Sequence, residues 1–432
     1  MSYVAGVAGR QKIAVIGAGL AGLACATQLA NQGHDVRLFD KARGPGGRMS
    51  TRRFATPHGD AVADHGAQYF TARDPDFQAE VDQWAARGIV TQWPDIAEDA
   101  WIGKPSMNAI IRHLAAPFDV QWNCRAEALM RTDKGWVISG LSGDDSFDAV
   151  ILAIPSEQAL TFLAQHDFDM ARKAMCARFQ PCWTVLLAFD QPLATDETVI
   201  RDVGAIGWAA REAAKPGRMT PASGVECWVV QASASWSAAH LEDDAELVVE
   251  LMQEALGEAL SLPLPQPIAQ STHRWRYAMS SGLGEAALWN PALGLGVCGD
   301  WLLGPRIECA WLSGRALAAQ IATEQALATT PAWQNAPIDQ VFGLSTVVDM
   351  EQALQGADEW SVQTLKALHH QSPLMLHVSL EQVRRGRLMD LASELRMERD
   401  MVRHCFYTQH LNRSGVSSET VEGIRALAVD KD

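Results

Sequence analysis

A glycine-rich turn near the start of the chain constrains its fold more than any other feature of the sequence. Gly17, Gly19 and Gly22 follow a short apolar, β-branched run, Lys12–Ile16, and open an amphipathic helical segment. A second strand-like run, residues 34–40, then ends in a carboxylate. This order predicts a strand, a tight turn, a helix and a second strand, the unit that begins a dinucleotide-binding sheet.

The chemistry of a bound dinucleotide explains each residue type in this unit. Gly17 permits the tight turn, Gly19 lets a pyrophosphate approach the backbone, and Gly22 lets helix and strand pack closely. Asp40 can accept hydrogen bonds from the adenosine ribose. A glycine-rich turn without a ligand is the alternative interpretation. The predicted cofactor contacts of this unit are Gly17, Ala18, Gly19, Leu20, Ala21, Gly22, Asp40 and Lys41.

A second glycine pair, soon after Asp40, indicates which dinucleotide binds. Gly46, Gly47 and Arg48 resemble the segment that crosses the pyrophosphate in two-dinucleotide flavoproteins and that plain NAD dehydrogenases lack. The sequence therefore predicts FAD as a resident cofactor, contacted by Gly47, Arg48 and Met49. The alternative is a mobile basic loop with four arginines between residues 43 and 53.

Composition excludes several other functions. The chain has 36 basic and 51 acidic residues among 432, a net charge of −15, which disfavours nucleic acid and anionic membranes as partners. None of its eight cysteines lies in a CxxC pair, so neither a zinc site nor a disulfide framework is predicted, and no metal is expected. The apolar stretch 13–30 contains three glycines and fits neither a signal peptide nor a membrane span. We expect a soluble, cytoplasmic protein.

Residues 11 to about 325 resemble the bacterial renalases, which are amine-oxidase-like flavoproteins. The resemblance is carried by separate stretches, of which the last is the most specific: 39–51 (FDKARGPGGRMST), 66–73 (GAQYFTAR), 101–107 (WIGKPSM), 215–218 (KPGR), 235–237 (SWS), 273–278 (HRWRYA) and 298–314 (CGDWLLGPRIECAWLSG). His65 departs from the pattern, because an aliphatic residue is expected before the GAQYF segment.

The resemblance implies a reaction. Renalases take a hydride from the 2- or 6-dihydro isomers of NAD(P)H onto flavin N5, and oxygen then reoxidises the flavin, giving NAD(P)⁺ and hydrogen peroxide. A dihydropyridine is already electron-rich, so no catalytic side chain is predicted and the protein orients two rings. The expected partners are a dihydronicotinamide dinucleotide and O₂. An amine or polyene oxidase on the same scaffold is the alternative.

The last of these stretches also has a physical interpretation. Residues 295–300 form a strand that ends in Asp300, and residues 308–314 open a helix. Asp300 is placed to hold the ribityl chain, and the helix N-terminus can face the flavin pyrimidine. A strand and helix that only complete the sheet remain an alternative. The cofactor contacts predicted here are Gly299, Asp300, Ala310 and Trp311, and Gln68 and Tyr69 of the GAQYF segment are added.

The fold class predicted is α/β, a Rossmann-type FAD-binding domain interleaved with an antiparallel β-sheet substrate domain and followed by a helical C-terminal appendage. Strand-like runs at 184–189 and 227–232 indicate the antiparallel sheet. Residues 120–123 are interpreted as part of a polar hairpin region. The predicted domains are 11–75, 118–156 and 290–325 for FAD, and 76–117 and 157–289 for substrate.

The substrate contacts are less determined. Alternation along a strand places His273, Trp275 and Tyr277 on one face and the two arginines between them on the other. This aromatic face could hold a nicotinamide ring, or it could be part of a tryptophan-rich core. Tyr69, His273 and Trp275 are the candidates. Arg211 or Arg218 could meet substrate phosphates, although exposure to solvent is the expected state of both.

The tail differs from the rest of the chain. All but two of the 15 tryptophans precede residue 331. A linker is predicted at 326–345 and a helical appendage at 346–432, with helical periodicity over 350–367 and 373–406. The stretches 372–382, 397–401 and 421–432 resemble the end of the 3-hydroxyisobutyryl-CoA hydrolases of the crotonase superfamily, without the catalytic part. We expect a passive appendage. A homodimer or a tail-mediated contact is possible, and a docking or oligomerisation component is the non-enzymatic alternative.

Overall fold

The chain folds as two compact units, Met1–Ala326 and Leu327–Asp432. The computed structural model describes residues 10–141, 145–218, 224–327, 338–355, 359–371, 373–386, 389 and 391–406. In this part of the chain every strand lies in the first unit. No helix of the described residues is both long enough and apolar enough to span a membrane.

The elements are numbered in chain order. The strands are β1 (Lys12–Ile16), β2 (Asp35–Phe39), β3 (Thr51–Thr56), β4 (Gly59–Asp64), β5 (Phe70–Thr71), β6 (Val90–Gln92), β7 (Ala100–Gly103), β8 (Val120–Gln121), β9 (Ala128–Thr132), β10 (Gly135–Ser139), β11 (Ser146–Phe147), β12 (Ala149–Leu152), β13 (Phe179–Phe189), β14 (Val199–Val203), β15 (Ile206–Arg211), β16 (Glu226–Ala232), β17 (Ala269–Ser280), β18 (Leu288–Asn290) and β19 (Leu295–Val297). The helices of the first unit are α1 (Leu20–Asn31), α2 (Pro75–Ala86), α3 (Ala109–Ala115), α4 (Ser156–Leu163), α5 (Phe168–Cys176), α6 (Ala234–Ala239), α7 (Ala245–Leu260), α8 (Asp300–Leu303) and α9 (Ile307–Leu327), which ends at the unit boundary.

A six-stranded sheet carries the dinucleotide-binding unit. Its order is β18-β19-β12-β1-β2-β8, and only β18 runs antiparallel to its neighbour. Residues 120–123 were interpreted as a hairpin region, and this is wrong: β8 extends the sheet as a parallel edge strand beside β2. The predicted order of strand, helix and second strand is confirmed by β1, α1 and β2.

The parallel strands are buried on both faces, which explains why they read as continuous apolar runs. Ile13 and Val15 of β1 face a core that includes residues of α1, whereas Ala14 and Ile16 face a second core that includes residues of α4 and α5. Each strand therefore contributes alternate side chains to two cores. Polar groups that could contact a ligand are expected at the carboxyl ends of the strands.

The second sheet of this unit is antiparallel, with the order β14-β15-β16-β13-β17. One face packs beneath α7 in a core that contains Trp228 and Met252. The opposite face packs on the β3–β4 hairpin, where Ala63 contacts Leu186 and Val229. The predicted α/β class is confirmed, and the hairpin brings the antiparallel sheet next to the segment that follows β2.

The second unit is helical in its described part. Its helices are α10 (Ile338–Phe342), α11 (Val347–Ala353), α12 (Glu359–His369), α13 (Pro373–Gly386) and α14 (Leu391–Phe406). A small core contains Val341, Met350 and Leu354. The predicted linker contains α10, and the predicted helical segment 350–367 is divided between α11 and α12. Residues 328–337 of the linker and the stretch 421–432 lie outside the described residues.

Candidate active site

The turn between β1 and α1 has the geometry that its glycines predict. Gly17 has a φ of +107°, and a Cβ at this residue would collide with the Ala153 carbonyl. A Cβ at Gly22 would collide with the carbonyl of Gly17. Gly19 is different, because nothing lies within 4 Å of the position that its Cβ would occupy. The first two glycines are therefore required by the protein, whereas Gly19 leaves open backbone where α1 begins.

Asp40 fixes this turn. Its Oδ2 accepts a hydrogen bond of 2.8 Å from the Ala18 amide, and its Oδ1 accepts one of 2.8 Å from the Ala42 amide. A carboxylate has about four acceptor positions, so one remains on each oxygen for a ribose hydroxyl. The predicted ribose contact of Asp40 stays a prediction.

The second glycine pair lies against the first turn. Gly47 has a φ of +53°, and a Cβ there would lie 3.8 Å from the Cα of Gly19. Arg48, next in sequence, forms a two-pronged ion pair with Asp300, in which Nη1 lies 2.7 Å from Oδ2. The structure thus joins the two residues that were predicted to serve the pyrophosphate and the ribityl chain.

The other predicted cofactor contacts lie further out. Lys41 donates from Nζ to Gln158 at 2.8 Å, and burial followed by the charge of Arg125 lowers its pKa. Trp311, near the start of α9, is buried with its ring centre 5.3 Å from that of Phe77. Buried residues with packing roles include Leu20, Ala21 and Met49, while Ala310 packs at the edge of the same core.

An aromatic wall on β17 contains two of the three predicted substrate residues. The rings of His273 and Trp275 are 4.2 Å apart, and His65, at the end of the β3–β4 hairpin, stacks on Trp275 at 5.3 Å. The Trp275 indole N–H donates to the His65 carbonyl at 2.8 Å. We call His65, His273 and Trp275 the aromatic wall. His65 was noted in the sequence only as a departure from the family pattern.

The alternation predicted along β17 is observed from His273 to Arg276, but the register with β13 shifts after Trp275, and Tyr277 packs on Phe179 and is not part of the aromatic wall. Arg274 and Arg276 point away from the aromatic wall, since both form ion pairs with Glu242. Tyr69 belongs to another cluster: its ring lies 5.2 Å from that of Trp208, and Arg201 covers both rings. The structure therefore places the three candidate substrate residues in two groups.

Both histidines of the wall are held neutral. Burial, followed by the charge of Arg52, lowers the pKa of His65 to about 3, and the same two causes lower the pKa of His273 to about 4. Arg52 lies on β3 with Nη2 3.5 Å from His273 Nδ1. His65 contacts Ser50 through Nε2 at 3.2 Å, and its buried Nδ1 has no hydrogen-bond partner among the described residues. The wall is consequently aromatic and uncharged near neutral pH, with the His65 ring stacked on Trp275 and the His273 ring meeting both at a steep angle.

Four buried charges lie next to the wall; the sequence did not indicate Asp64, Glu212 or Lys215 as site residues, and it indicated Arg218 only as a candidate phosphate contact. Lys215 is fully buried, with its Nζ 2.7 Å from Glu212 and 3.5 Å from Asp64. Arg218 pairs with both carboxylates, at 2.9 Å to Glu212 and in a shorter contact with Asp64. We call Asp64, Glu212, Lys215 and Arg218 the buried ion cluster. Burial would raise the pKa of Asp64, but Lys215 and Arg218 outweigh it and hold that pKa below its ordinary value.

The buried ion cluster joins three of the stretches that carried the family resemblance. Lys215 Nζ donates to Gln68 Oε1 at 3.0 Å, within the GAQYF segment. Arg218 donates to the carbonyls of Gly103 and Pro105, within the WIGKPSM segment. Gln68, predicted as a cofactor contact, is thus a buried bridge between the cluster and its own segment.

The expectation that Arg211 and Arg218 are exposed is wrong. The Arg218 side chain is 6% exposed, and that of Arg211 is 19% exposed with Nε 3.2 Å from Glu226. Both guanidinium groups are neutralised by buried carboxylates. Neither is free to bind a substrate phosphate.

Comparison with known proteins decides the family. Residues 94–322, more than half of the chain, match the sequence profile described as flavin containing amine oxidoreductase. The chain belongs to this family. Residues 15–84 match the NAD(P)-binding Rossmann-like domain, and residues 313–432 match the enoyl-CoA hydratase/isomerase profile. The predicted amine-oxidase-like and crotonase-like resemblances are both confirmed.

Individual relatives cover smaller parts. The chain is 37% identical over 100 residues to the probable 3-hydroxyisobutyryl-CoA hydrolase 3 of Arabidopsis thaliana, 22% of this chain and 25% of that protein. It is 57% identical over 40 residues to the zeta-carotene-forming phytoene desaturase of Myxococcus xanthus, 9% and 8% of the two chains. The chain thus spans about a quarter or less of the length of these curated relatives.

Solved structures of flavin amine oxidases have the same fold. Putrescine oxidase bound to putrescine matches with a TM-score of 0.53 at 13% identity, covering 73% of this chain and 99% of that one. Cyclohexylamine oxidase from Brevibacterium oxydans matches with a TM-score of 0.52 at 11% identity, with the same coverage of both chains. At this identity the likeness concerns the fold alone.

FAD is the cofactor of this flavin amine oxidoreductase, and the residues fit it. The open backbone at Gly19 adjoins Gly47, and the first turn of α1 contains no acidic residue that would repel a pyrophosphate. Arg48 follows Gly47 directly in the chain, and its guanidinium pairs with Asp300. We expect Gly17, Gly19, Gly47 and Arg48 to hold the pyrophosphate and Asp40 the ribose.

The buried ion cluster yields a stability prediction. Lys215→Met leaves Asp64 and Glu212 buried with one cation instead of two, so we expect the free energy of unfolding to fall by about 3 to 5 kcal/mol. The control is Lys173→Met, which breaks the half-exposed pair with Glu285 and should lose about 1 kcal/mol or less. Equilibrium denaturation of both variants decides: equal losses would contradict the role assigned to Lys215.

The neutral histidines yield a pH prediction. Below its ordinary pKa of 6.5 His65 binds a proton in the unfolded chain but not in the folded one, so stability should fall as the pH drops from 6.5 towards 3. His65→Phe keeps the stack on Trp275 and removes the titration. Its free energy of unfolding should fall less steeply over this range, by up to about 1.4 kcal/mol per pH unit. Measurements at pH 8, where His65 is neutral in both states, provide the reference, and parallel curves for both proteins would refute the prediction.

Proposed function

We propose that this chain is an FAD-dependent oxidase of the 2- or 6-dihydro isomers of NAD(P)H, producing NAD(P)⁺ and hydrogen peroxide. The bound FAD would accept the hydride and pass the electrons to O₂. In this proposal His273 and Trp275 contact the dihydronicotinamide ring, and Tyr69 lies at the border of the site.

The observation that supports this proposal is the uncharged aromatic wall. A dihydropyridine is flat and neutral, and it needs no base, because its ring nitrogen supplies the electrons that expel the hydride. The neutral histidines His65 and His273 add no positive charge where the ring itself becomes a cation, and Trp275 offers the planar face of an indole. The protein then orients the ring and excludes side reactions.

The same wall disfavours an amine substrate. Putrescine oxidase and cyclohexylamine oxidase share the fold, so an amine is the natural rival. An ammonium ion approaching the wall would meet the charge of Arg52, for which no carboxylate partner is found among the described residues. A dihydronicotinamide is neutral when it binds, so it does not meet this repulsion.

Anaerobic flavin reduction tests the proposal. We expect 2- or 6-dihydroNAD to bleach the flavin of the purified holoenzyme and form NAD⁺ in equal amount, whereas putrescine and cyclohexylamine should not. Trp275→Leu should slow this reduction by about tenfold or more, since the ring loses its platform. Trp236→Leu removes a ring that stacks on His240 and serves as the control. Bleaching by the amines, without bleaching by either dihydronicotinamide, would establish the rival instead.

Removing the tail tests the non-enzymatic alternative, in which the chain is a docking or oligomerisation component that depends on its tail. All the residues proposed to contact FAD or substrate precede residue 327. Removing residues 328–432, which keeps the described part of α9, should therefore leave FAD content and flavin reduction unchanged. Molecular mass and reduction rate, measured on full-length and shortened proteins, decide. Loss of flavin reduction in a folded shortened protein would favour the docking or oligomerisation alternative.

A further inference from the structure

Arg52 is the arginine that lies against the aromatic wall. It belongs to β3, and its Nη1 donates to Ser271 Oγ and to the Thr272 carbonyl, both at 2.9 Å. Its Nη2 lies 3.5 Å from His273 Nδ1. These contacts hold the guanidinium in one orientation beside the wall. They occupy three of its five N–H groups, leaving Nε and one N–H of Nη2 without a partner among the described residues.

The charge of Arg52 is not neutralised by the protein. In the described part of the chain neither Arg52 nor Arg43 forms an ion pair, and burial, followed by the charge of Arg43, lowers the pKa of Arg52. Five other arginines near the wall or the cofactor turn each pair with a carboxylate: Arg48 with Asp300, Arg211 with Glu226, Arg218 with Asp64 and Glu212, and Arg274 and Arg276 with Glu242. An oriented, half-buried cation without a counter-ion is suited to an anionic ligand.

We propose that Arg52 binds a phosphate of the substrate dinucleotide, an inference that rests on the proposed function. In such a dinucleotide one ribose separates the nicotinamide ring from its nearest phosphate. Arg52 contacts His273, which is proposed to line the ring, and so it lies at that short range. Its two remaining N–H groups can donate to phosphate oxygens, and guanidinium is the side chain best suited to two-pronged phosphate binding. Arg52 thereby takes the role that the sequence suggested for Arg211 or Arg218.

A series of substrates with and without phosphate tests this assignment on the full-length holoenzyme. The probes are the 6-dihydro forms of nicotinamide riboside, nicotinamide mononucleotide and NAD, and the readouts are anaerobic flavin reduction and equilibrium binding of the oxidised products. We expect Arg52→Gln to weaken binding of the mononucleotide and of NAD⁺ by about tenfold to a hundredfold. The riboside should be affected by less than about threefold, since it offers no charge for a charge-assisted hydrogen bond. Arg52→Lys should fall between, because lysine retains the charge without the fork.

The neighbouring residue provides the matched control. Arg53 has a 72% exposed side chain, lies on the other face of β3 and approaches Asp60 at 3.8 Å, so Arg53→Gln should change none of these constants. FAD content and thermal unfolding of each variant report whether the wall and cofactor site are intact. Equal weakening of riboside and phosphate-bearing probes by Arg52→Gln would overturn the assignment, as would a change confined to FAD retention. Failure of every dihydronicotinamide to reduce the wild-type flavin would overturn the proposed function, and the assignment with it.

Discussion

The carboxylate of Asp64 is the point on which the arrangement of the first unit depends. It is fully buried at the end of β4, and it accepts hydrogen bonds from Thr51 and from the Met107 amide besides its ion pairs with Lys215 and Arg218. A buried carboxylate is tolerated only when its charge and its acceptor positions are satisfied. The partners of Asp64 come from distant parts of the chain, so satisfying this one group requires those parts to meet. If one partner were misplaced, a buried charge would remain unpaired and the fold would be less stable. The cluster therefore favours the one arrangement in which all four charges are paired.

The segment after Asp64 transmits this geometry in two directions. Towards the cofactor, the Ala67 amide donates to the Arg48 carbonyl at 2.9 Å, and a Cβ at Gly66 would collide with that carbonyl. Towards the antiparallel sheet, the carbonyls of His65 and Gly66 accept hydrogen bonds from Trp275 and Gln231, each at 2.8 Å. A short stretch of backbone therefore lies between the arginine expected at the pyrophosphate and the aromatic wall. Because its polar groups are bonded on both sides, the spacing between the two is fixed by the protein.

How far the sequence predicts this site depends on the range of the contacts. The β1–α1–β2 unit could be read directly, since Gly17, Gly22 and Asp40 act within about thirty residues of one another and leave a local pattern. The buried ion cluster could not, because Asp64 and Arg218 are separated by 154 positions and neither has a neighbour in sequence that marks it as buried. Arginine is usually exposed, so Arg218 was assigned to solvent on composition alone. A signal was present in the KPGR stretch, where a glycine, Gly217, with a φ of +73° packs beside Lys104. The role of Gly217 could not be recognised without knowing that the WIGKPSM segment packs beside it.

The presence or absence of a counter-charge distinguishes Arg218 from Arg52. Arg218 contacts Asp64, and Arg52 contacts His273, whose ring packs on His65; both arginines are removed in part from water. The protein supplies Arg218 with two carboxylates and supplies Arg52 only with a hydroxyl, a carbonyl and an imidazole. Desolvating a cation without a counter-ion is unfavourable, and the lowered pKa of Arg52 reflects that burial. An anionic ligand would relieve this disadvantage, whereas an ammonium ligand would increase it. If the wall binds the substrate as proposed, Arg52 favours an anionic substrate, because the histidines beside it are neutral.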